Sequence, residues 1–261
     1  MTRLRYITFV VLVAAFVTAT PVAAQTRQPG GAASPRTPPR DRIFISVDGV
    51  FQTTATDFTN TVTLRRNVED SSFSTSYDEK SGPAFNVSGA GLVWRTIAIG
   101  VGVSRFSHGV PGAFTASVPH PFFFNQARQV SGTINSTREE LAVHVNARAL
   151  LPLKSRRMQA MVFGGPSFFN VKQDLVSDFE ITETYPYDTA TFSRGVTTTA
   201  SKSKVAFNAG ADLAYFFTRQ MGVGGTALYA GTTIPLDSAG GNTVDVKVGG
   251  FQVGGGLRLR F

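Results

Sequence analysis

The feature that most restricts this chain is a two-residue alternation that keeps one parity from residue 43 to residue 261. Ile43, Ile45, Val47, Gly49 and Phe51 open it, and Phe85, Val87, Gly89, Gly91 and Val93 continue it. Ile97, Ile99, Val101 and Val103 follow, then Leu141, Val143, Val145, Ala147, Ala149 and Leu151. Met161, Phe163, Gly165, Phe169 and Val171 form the next run, and Val205, Phe207, Ala209, Ala211, Leu213, Tyr215 and Phe217 another. Met221, Val223, Gly225, Ala227 and Tyr229 precede the last, Phe251, Val253, Leu257, Leu259 and Phe261. Successive side chains of a strand point to opposite faces, so each run lays its apolar residues on one face. The odd numbering shared by all of them is what hairpins with three-residue connections produce. The pattern predicts about eight strands forming one antiparallel sheet with one greasy side.

The alternate positions decide which side that is. They are small (Ala98, Gly100, Gly102, Ser104) or polar (Asp48, Glu140, His144, Asn146, Arg148, Lys172, Asn208, Asp212, Arg258, Arg260). A water-soluble barrel or sandwich alternates too, but hides its apolar face. Here the connections alternate between short turns (Trp94–Thr96, Lys154–Arg156, Thr218–Gln220) and mostly long polar stretches (53–82, 106–137, 178–203), with a short one at 238–242. Aromatics gather near strand ends: Trp94, Tyr215, Phe217 and Phe261 toward the turns, and Phe51, Phe169 and Tyr229 toward the long stretches. Tilted strands of about ten residues cross hydrocarbon, and an aromatic girdle marks both interfaces. In lipid every backbone polar group needs an internal partner, so the sheet has to close, first strand against last. The expected fold is all-β, a closed antiparallel up-and-down transmembrane β-barrel of about eight strands, spanning residues 42–261. Thr61 to Leu64 also suits a strand, which leaves ten strands open. Val244, Val246 and Val248 have the opposite parity to Phe251, which either a bulge at Gly249-Gly250 or a position above the membrane would accommodate.

The terminal run ends on an aromatic with apolar residues two and four positions earlier. Together with the strand series, Leu257, Leu259 and Phe261 resemble the closing strand of small bacterial outer-membrane barrels of the OmpA or OmpX type, with OmpW-like proteins as relatives in architecture. The resemblance implies that this strand is an assembly signal read by the barrel-assembly machinery. It also implies outer-membrane lipid as surroundings and both termini in the periplasm of a Gram-negative envelope. It covers Ile43 to Phe261 and is weak for function, since such barrels serve as tethers, adhesins, narrow channels and lipid-modifying enzymes.

The start of the chain fits that address. Arg3 and Arg5, the apolar run Ile7–Val17 and the small residues Val22-Ala23-Ala24 read as a signal peptide over 1–24. Residues 25–41, rich in Pro, Gly and Arg, read as a disordered periplasmic arm. The chain has no Cys, which removes disulfides and thiolate metal sites. Its formal charge of +8 is scattered through turns, with no basic stripe or recognition helix, so nucleic acid is not an expected partner.

Chemistry is sparsely marked. Asp48, Glu140, His144, Arg148, Asp212 and Arg258 share interior parity with roughly balanced signs, and read as a salt-bridge network plugging the barrel, because charges there cannot stay unpaired. Asp48 and Arg258, on the two closing strands, are expected within about 8 Å of each other at matched depth. His108, His120 and His144 are the only histidines. None is set beside a serine and a carboxylate in a way that argues for a deacylase, so no catalytic, cofactor or metal residue is assigned. Pro119–Phe124 holds His120 and three successive phenylalanines, Phe122, Phe123 and Phe124, which cannot all face water comfortably. They are expected to fold over the barrel mouth, lie on the outer-leaflet boundary or contact a partner; a lid or packing role is favoured over a binding site, with Tyr185 and Tyr187 expected beside them. Surface contact through the long loops, or a structural role, is the leading functional expectation, with any extracellular ligand unidentified. A narrow porin-like channel for small solutes is the alternative, and a secreted soluble barrel that holds a ligand is a third.

Overall fold

A computed structural model of the chain describes residues 41–53 and 57–261. The expected signal peptide and, apart from Asp41, the expected arm lie outside the described residues. Ten strands follow one another: β1 Ile43–Thr53, β2 Phe58–Arg66, β3 Glu69–Tyr77, β4 Gly82–Trp94, β5 Ile97–Pro119, β6 Ala127–Leu151, β7 Met158–Glu183, β8 Ala190–Phe216, β9 Met221–Asp237 and β10 Thr243–Arg260. Eight of them close a ring, β1-β4-β5-β6-β7-β8-β9-β10 and back to β1, with every pairing antiparallel. The seam runs from Phe44 opposite Arg260 to Thr53 opposite Phe251. Ile43 and Phe261 exchange both backbone hydrogen bonds at 3.0 Å, so the ladder has no frayed edge at this end. Gly256 allows that close seam: a Cβ there would run into the Val47 carbonyl oxygen.

The lower part of the barrel is inside out. Ile43, Val47, Phe51, Ile99, Val101, Val145, Leu213, Val223, Val253 and Leu257 all stand exposed on the outer face. Trp94, Tyr215, Phe217 and Phe261 ring the end that carries the short turns, and Phe51, Phe85, Phe207, Tyr229 and Phe251 ring the other. This belt is the surface a sheet presents to hydrocarbon and not to water.

Among the eight ring strands, β7 departs from the odd-outward rule. On β7 the even residues Met158, Val162 and Phe168 face out, while Met161, Phe169 and Val171 are buried inside. Lys172, expected inside, is therefore exposed, and Phe168 takes the girdle place expected of Phe169. The connection Pro152–Arg157 has an even number of residues between outward Leu151 and outward Met158, which exchanges the faces. Because both faces of β7 are apolar, hydrophobicity alone does not tell them apart.

Above the belt the barrel turns right side out. Along β5 the outward series Ile97, Ile99, Val101, Val103 gives way to Arg105, Ser107 and Gly109. At the same level the inward series Ala98, Gly100, Gly102, Ser104 gives way to Phe106, Val110, Phe114 and Val118. Arg105 pairs with Glu139 of β6 on the outside, one step above Leu141. The stretches expected as loops at 106–137 and 178–203 are thus mostly strand, leaving connections of only 120–126 and 184–189. The stretch at 53–82 folds as the β2–β3 hairpin, which joins the upper part of β5 through Ser72–Tyr77. Phe58, Val62, Phe73 and Tyr77 from this hairpin pack with Phe114, Val130, Leu175, Phe179, Ile234 and Leu236 in one apolar core. Val244, Val246 and Val248 belong to that core, and the pairing of β10 with β9 passes through Gly249-Gly250 without a shift. Of the two accommodations open for these valines, the one above the belt holds and no bulge is needed.

Candidate functional site

The barrel interior carries polar side chains at three levels, and the hairpins carry a fourth cluster at their tips. Nearest the short turns, Arg258 of β10 donates from Nη1 to Asp48 Oδ1 of β1 at 2.5 Å and from Nε to both Asp212 oxygens of β8 at 3.0 and 3.2 Å. The expected Asp48–Arg258 contact is present, and the β1–β10 register sets Asp48 two residues from the position opposite Arg258. Arg148 of β6 completes the group, with its guanidinium 5.4 Å from the Phe163 ring centre. Glycine makes the space: a Cβ at Gly224 would lie 3.0 Å from Arg258 Nε, and one at Gly100 the same distance from Arg148 Nε. Two cations and two carboxylates leave this level formally neutral.

The middle level centres on His144. Its Nε2 is 3.0 Å from Ser104 Oγ and its Nδ1 is 2.7 Å from Ser167 Oγ. Asn208 Nδ2 also donates to Ser167 Oγ, at 2.8 Å. Both imidazole nitrogens are thus engaged by hydroxyls, and no carboxylate orients the ring, so this serine–histidine contact lacks the third member of a hydrolytic triad. It is also walled off by the sheet from anything outside the belt.

The upper level was not legible beforehand except for Glu140. Arg138 of β6 donates from Nε to Glu140 Oε1 at 2.7 Å and from Nη2 to the Lys247 carbonyl at 2.5 Å, and its Nη1 pairs with Glu79. Glu140 Oε2 accepts from Gln52 Nε2 and from the Gly249 N–H, each at 3.0 Å, and Gln52 Oε1 accepts from Gln252 at 2.7 Å. Glu79 falls in the stretch 53–82 expected as loop, and Arg138 falls just beyond the expected loop 106–137, two residues before Glu140 on the inward face of β6. Glu79 arrives on the connection that follows β3, which ties the inserted hairpin to the barrel wall. Water-sized cavities of about 20 and 10 Å³ lie beside Asp48, Arg148 and Asp212. Among the described residues no group of three or more His, Asp or Glu side chains is placed to hold a metal ion.

Three hairpin tips meet at the far end. His120 Nδ1 accepts the N–H groups of both Phe122 and Phe123 at 3.2 Å, which folds the 120–126 turn back on the buried imidazole. Arg128 donates to the carbonyls of Tyr187 and Pro119 at 2.9 and 3.0 Å and to Glu183 Oε1 at 2.8 Å, locking this turn to the 184–189 turn. The Asn125 N–H donates to Glu69 at 2.9 Å and Asn67 Nδ2 donates to the Pro119 carbonyl at 3.4 Å, so the β2–β3 turn joins them. The expected neighbourhood is present: Phe122 meets Tyr187 edge-on at 5.5 Å, and Tyr187 meets Tyr185 at 6.1 Å. The expected packing is not, because Phe122, Phe123 and Phe124 are 67, 55 and 71% exposed and Tyr185 is 81% exposed. The β2–β3 hairpin instead supplies Phe58, Val62, Phe73 and Tyr77 to the apolar core of the head. At the opposite end Leu257 and Phe261 are exposed on the outer face, the parity they share with Leu259.

No protein-family model matches the chain, and no curated protein matches it by sequence. Among solved structures it is similar to OprG, an outer membrane protein of Pseudomonas aeruginosa, with a TM-score of 0.48 and 8% identity over 85% of this chain and 96% of that one. It is similar to Neisserial surface protein A, at 0.44 and 9% over 84% and 97%. It is also similar to Ail, the attachment invasion locus protein of Yersinia pestis, at 0.40 and 12% over 84% and 99%. The barrel assignment rests on this chain's own register and closure.

Proposed function

We propose that this protein is a closed, non-enzymatic outer-membrane β-barrel whose task is to mount a rigid extracellular head for surface contact. The observation that carries this reading is the filled interior. Arg258, ion-paired to Asp48 and Asp212, and Arg148 beside it occupy the belt region, a Glu79–Arg138–Glu140 group lies above them, and an apolar core stands in the head. An open pore needs a continuous hydrated path, and side chains occupy this one at every level. The belt supports insertion into lipid, and the contrast between short turns and long hairpins supports a periplasmic short-turn end that carries Ile43 and Phe261. The outward Leu257, Leu259 and Phe261 support delivery by the barrel-assembly machinery.

Planar-bilayer recording of purified protein tests the closed state. The expected result is membrane conductance indistinguishable from the protein-free bilayer. Stable single-channel steps from protein that also shows the faster migration of a closed barrel on unheated gels would establish the narrow channel instead.

A further inference from the structure

The exposed aromatic tip has no role in closing the barrel. Val68, Phe122, Phe123, Phe124 and Tyr185 are all more than half exposed, and three separate turns bring them together. We propose that this tip inserts into the lipid bilayer of an apposed membrane. The proposal rests on the closed-barrel reading above and names the partner of its head.

Height selects a second membrane over the protein's own. From Arg105, where the outer face becomes polar, to Pro119 the strand runs about 45 Å at ~3.3 Å per residue, or about 35 Å of height at a ~40° tilt. The hydrogen bonds of Arg128 and His120 hold the tip at that height. Size selects lipid over a folded protein. The rings lie on exposed turns between strands. Their exposed apolar area is on the order of 500 Å², taking ~150–250 Å² for each aromatic, whereas a stable protein interface needs about 800 Å² from each partner. The aromatic turn Pro119–Gln126 itself contains no carboxylate; of those on the neighbouring turns, Glu69 accepts the Asn125 N–H and Glu183 pairs with Arg128, while Asp70 is exposed. Asp188 faces the His120 imidazole at 3.8 Å. Aromatic rings beside backbone carbonyls suit the headgroup boundary of a bilayer.

The test uses full-length protein in nanodiscs, so that its own belt is covered, mixed with protein-free phosphatidylcholine vesicles and floated on a density gradient. Wild type is expected to float with the vesicles. A variant carrying F122S, F123S, F124S and Y185S is expected to lose at least ten-fold of that binding while keeping the gel shift of a closed barrel. In a W94F background, F123W is expected to shift its emission to the blue on vesicle addition. Wild type that stays at the bottom, serine variants that float equally well, or an unshifted F123W each overturn the proposal. Attachment to cells that disappears when those cells are protease-treated, without flotation on vesicles, assigns the tip to a protein partner and overturns it too. Conductance steps would defeat the closed-barrel reading while leaving the flotation result standing, so the two failures are separable.

Discussion

Replacing Arg258 by methionine removes the cation shared by Asp48 and Asp212 while keeping an unbranched side chain in the same space. At an effective dielectric of about 20, a unit pair about 4 Å apart is worth about 4 kcal/mol, so two carboxylates contribute roughly twice that before desolvation is subtracted. Desolvating a guanidinium and two carboxylates cancels much of the gain, and removing one partner of a buried pair typically costs about 3–5 kcal/mol because the other charge is left uncompensated. Arg148 lies beside the same carboxylates and carries no hydrogen bond on its Nε, so it relieves part of the deficit. The expected loss for Arg258→Met is therefore about 3 kcal/mol, at the lower end of that range. Adding Asp48→Asn and Asp212→Asn to Arg258→Met removes the orphaned charges and is expected to recover about half or more of the loss. Urea-induced unfolding from lipid vesicles, followed by the fluorescence of Trp94, the only tryptophan, reads both numbers. A loss below about 1 kcal/mol for the single variant would mean that the ion pairs contribute no more than surface pairs do. A neutral triple variant no more stable than the single one would show the damage to be steric, and either result refutes the electrostatic reasoning.

Two further expectations follow from where the outer face changes chemistry and from the core of the head. Val145→Arg puts a charge in the middle of the belt and is expected to cost about 2–4 kcal/mol in the same assay, whereas Ser107→Arg, on the outer face above Arg105, is expected to stay within about 0.5 kcal/mol; equal effects would misplace the boundary. Tyr77 is fully buried, and its hydroxyl accepts the Val176 N–H at 2.9 Å; burial pushes its pKa up to about 12. The unfolded phenol releases its proton near pH 10, so above that pH the unfolded chain binds fewer protons than the folded one and stability falls with rising pH. The contribution is whole below pH 10 and is lost toward pH 12, by about 1.4 kcal/mol per unit. Tyr77→Phe is expected to flatten this part of the stability profile, and an unchanged slope would place the proton loss elsewhere.

The amino-acid sequence by itself determined the belt. A period of two with apolar odd positions, small or charged even positions and short turns leaves a closed sheet with hydrocarbon outside as the consistent arrangement. It also brought Asp48 and Arg258 together, because both closing strands were identified and an antiparallel seam fixes their depth. Three things needed the tertiary structure. The head was hidden because its apolar residues stand on the inward face among Ser, Thr and Gly: on β5 a search for odd apolar runs met Phe106, Val110, Phe114 and Val118 with the wrong sign, while Phe73, Tyr77, Leu175 and Phe179 are odd residues on strands whose odd side faces in. The facing of β7 was hidden because both of its faces are apolar and only the length of a turn chooses between them. The partners of Glu140 and the meeting of three tips were hidden because they depend on pairings between strands far apart in sequence. Periodicity reports what one strand offers each side; which side is wet, and what stands opposite, is settled only when the sheet closes.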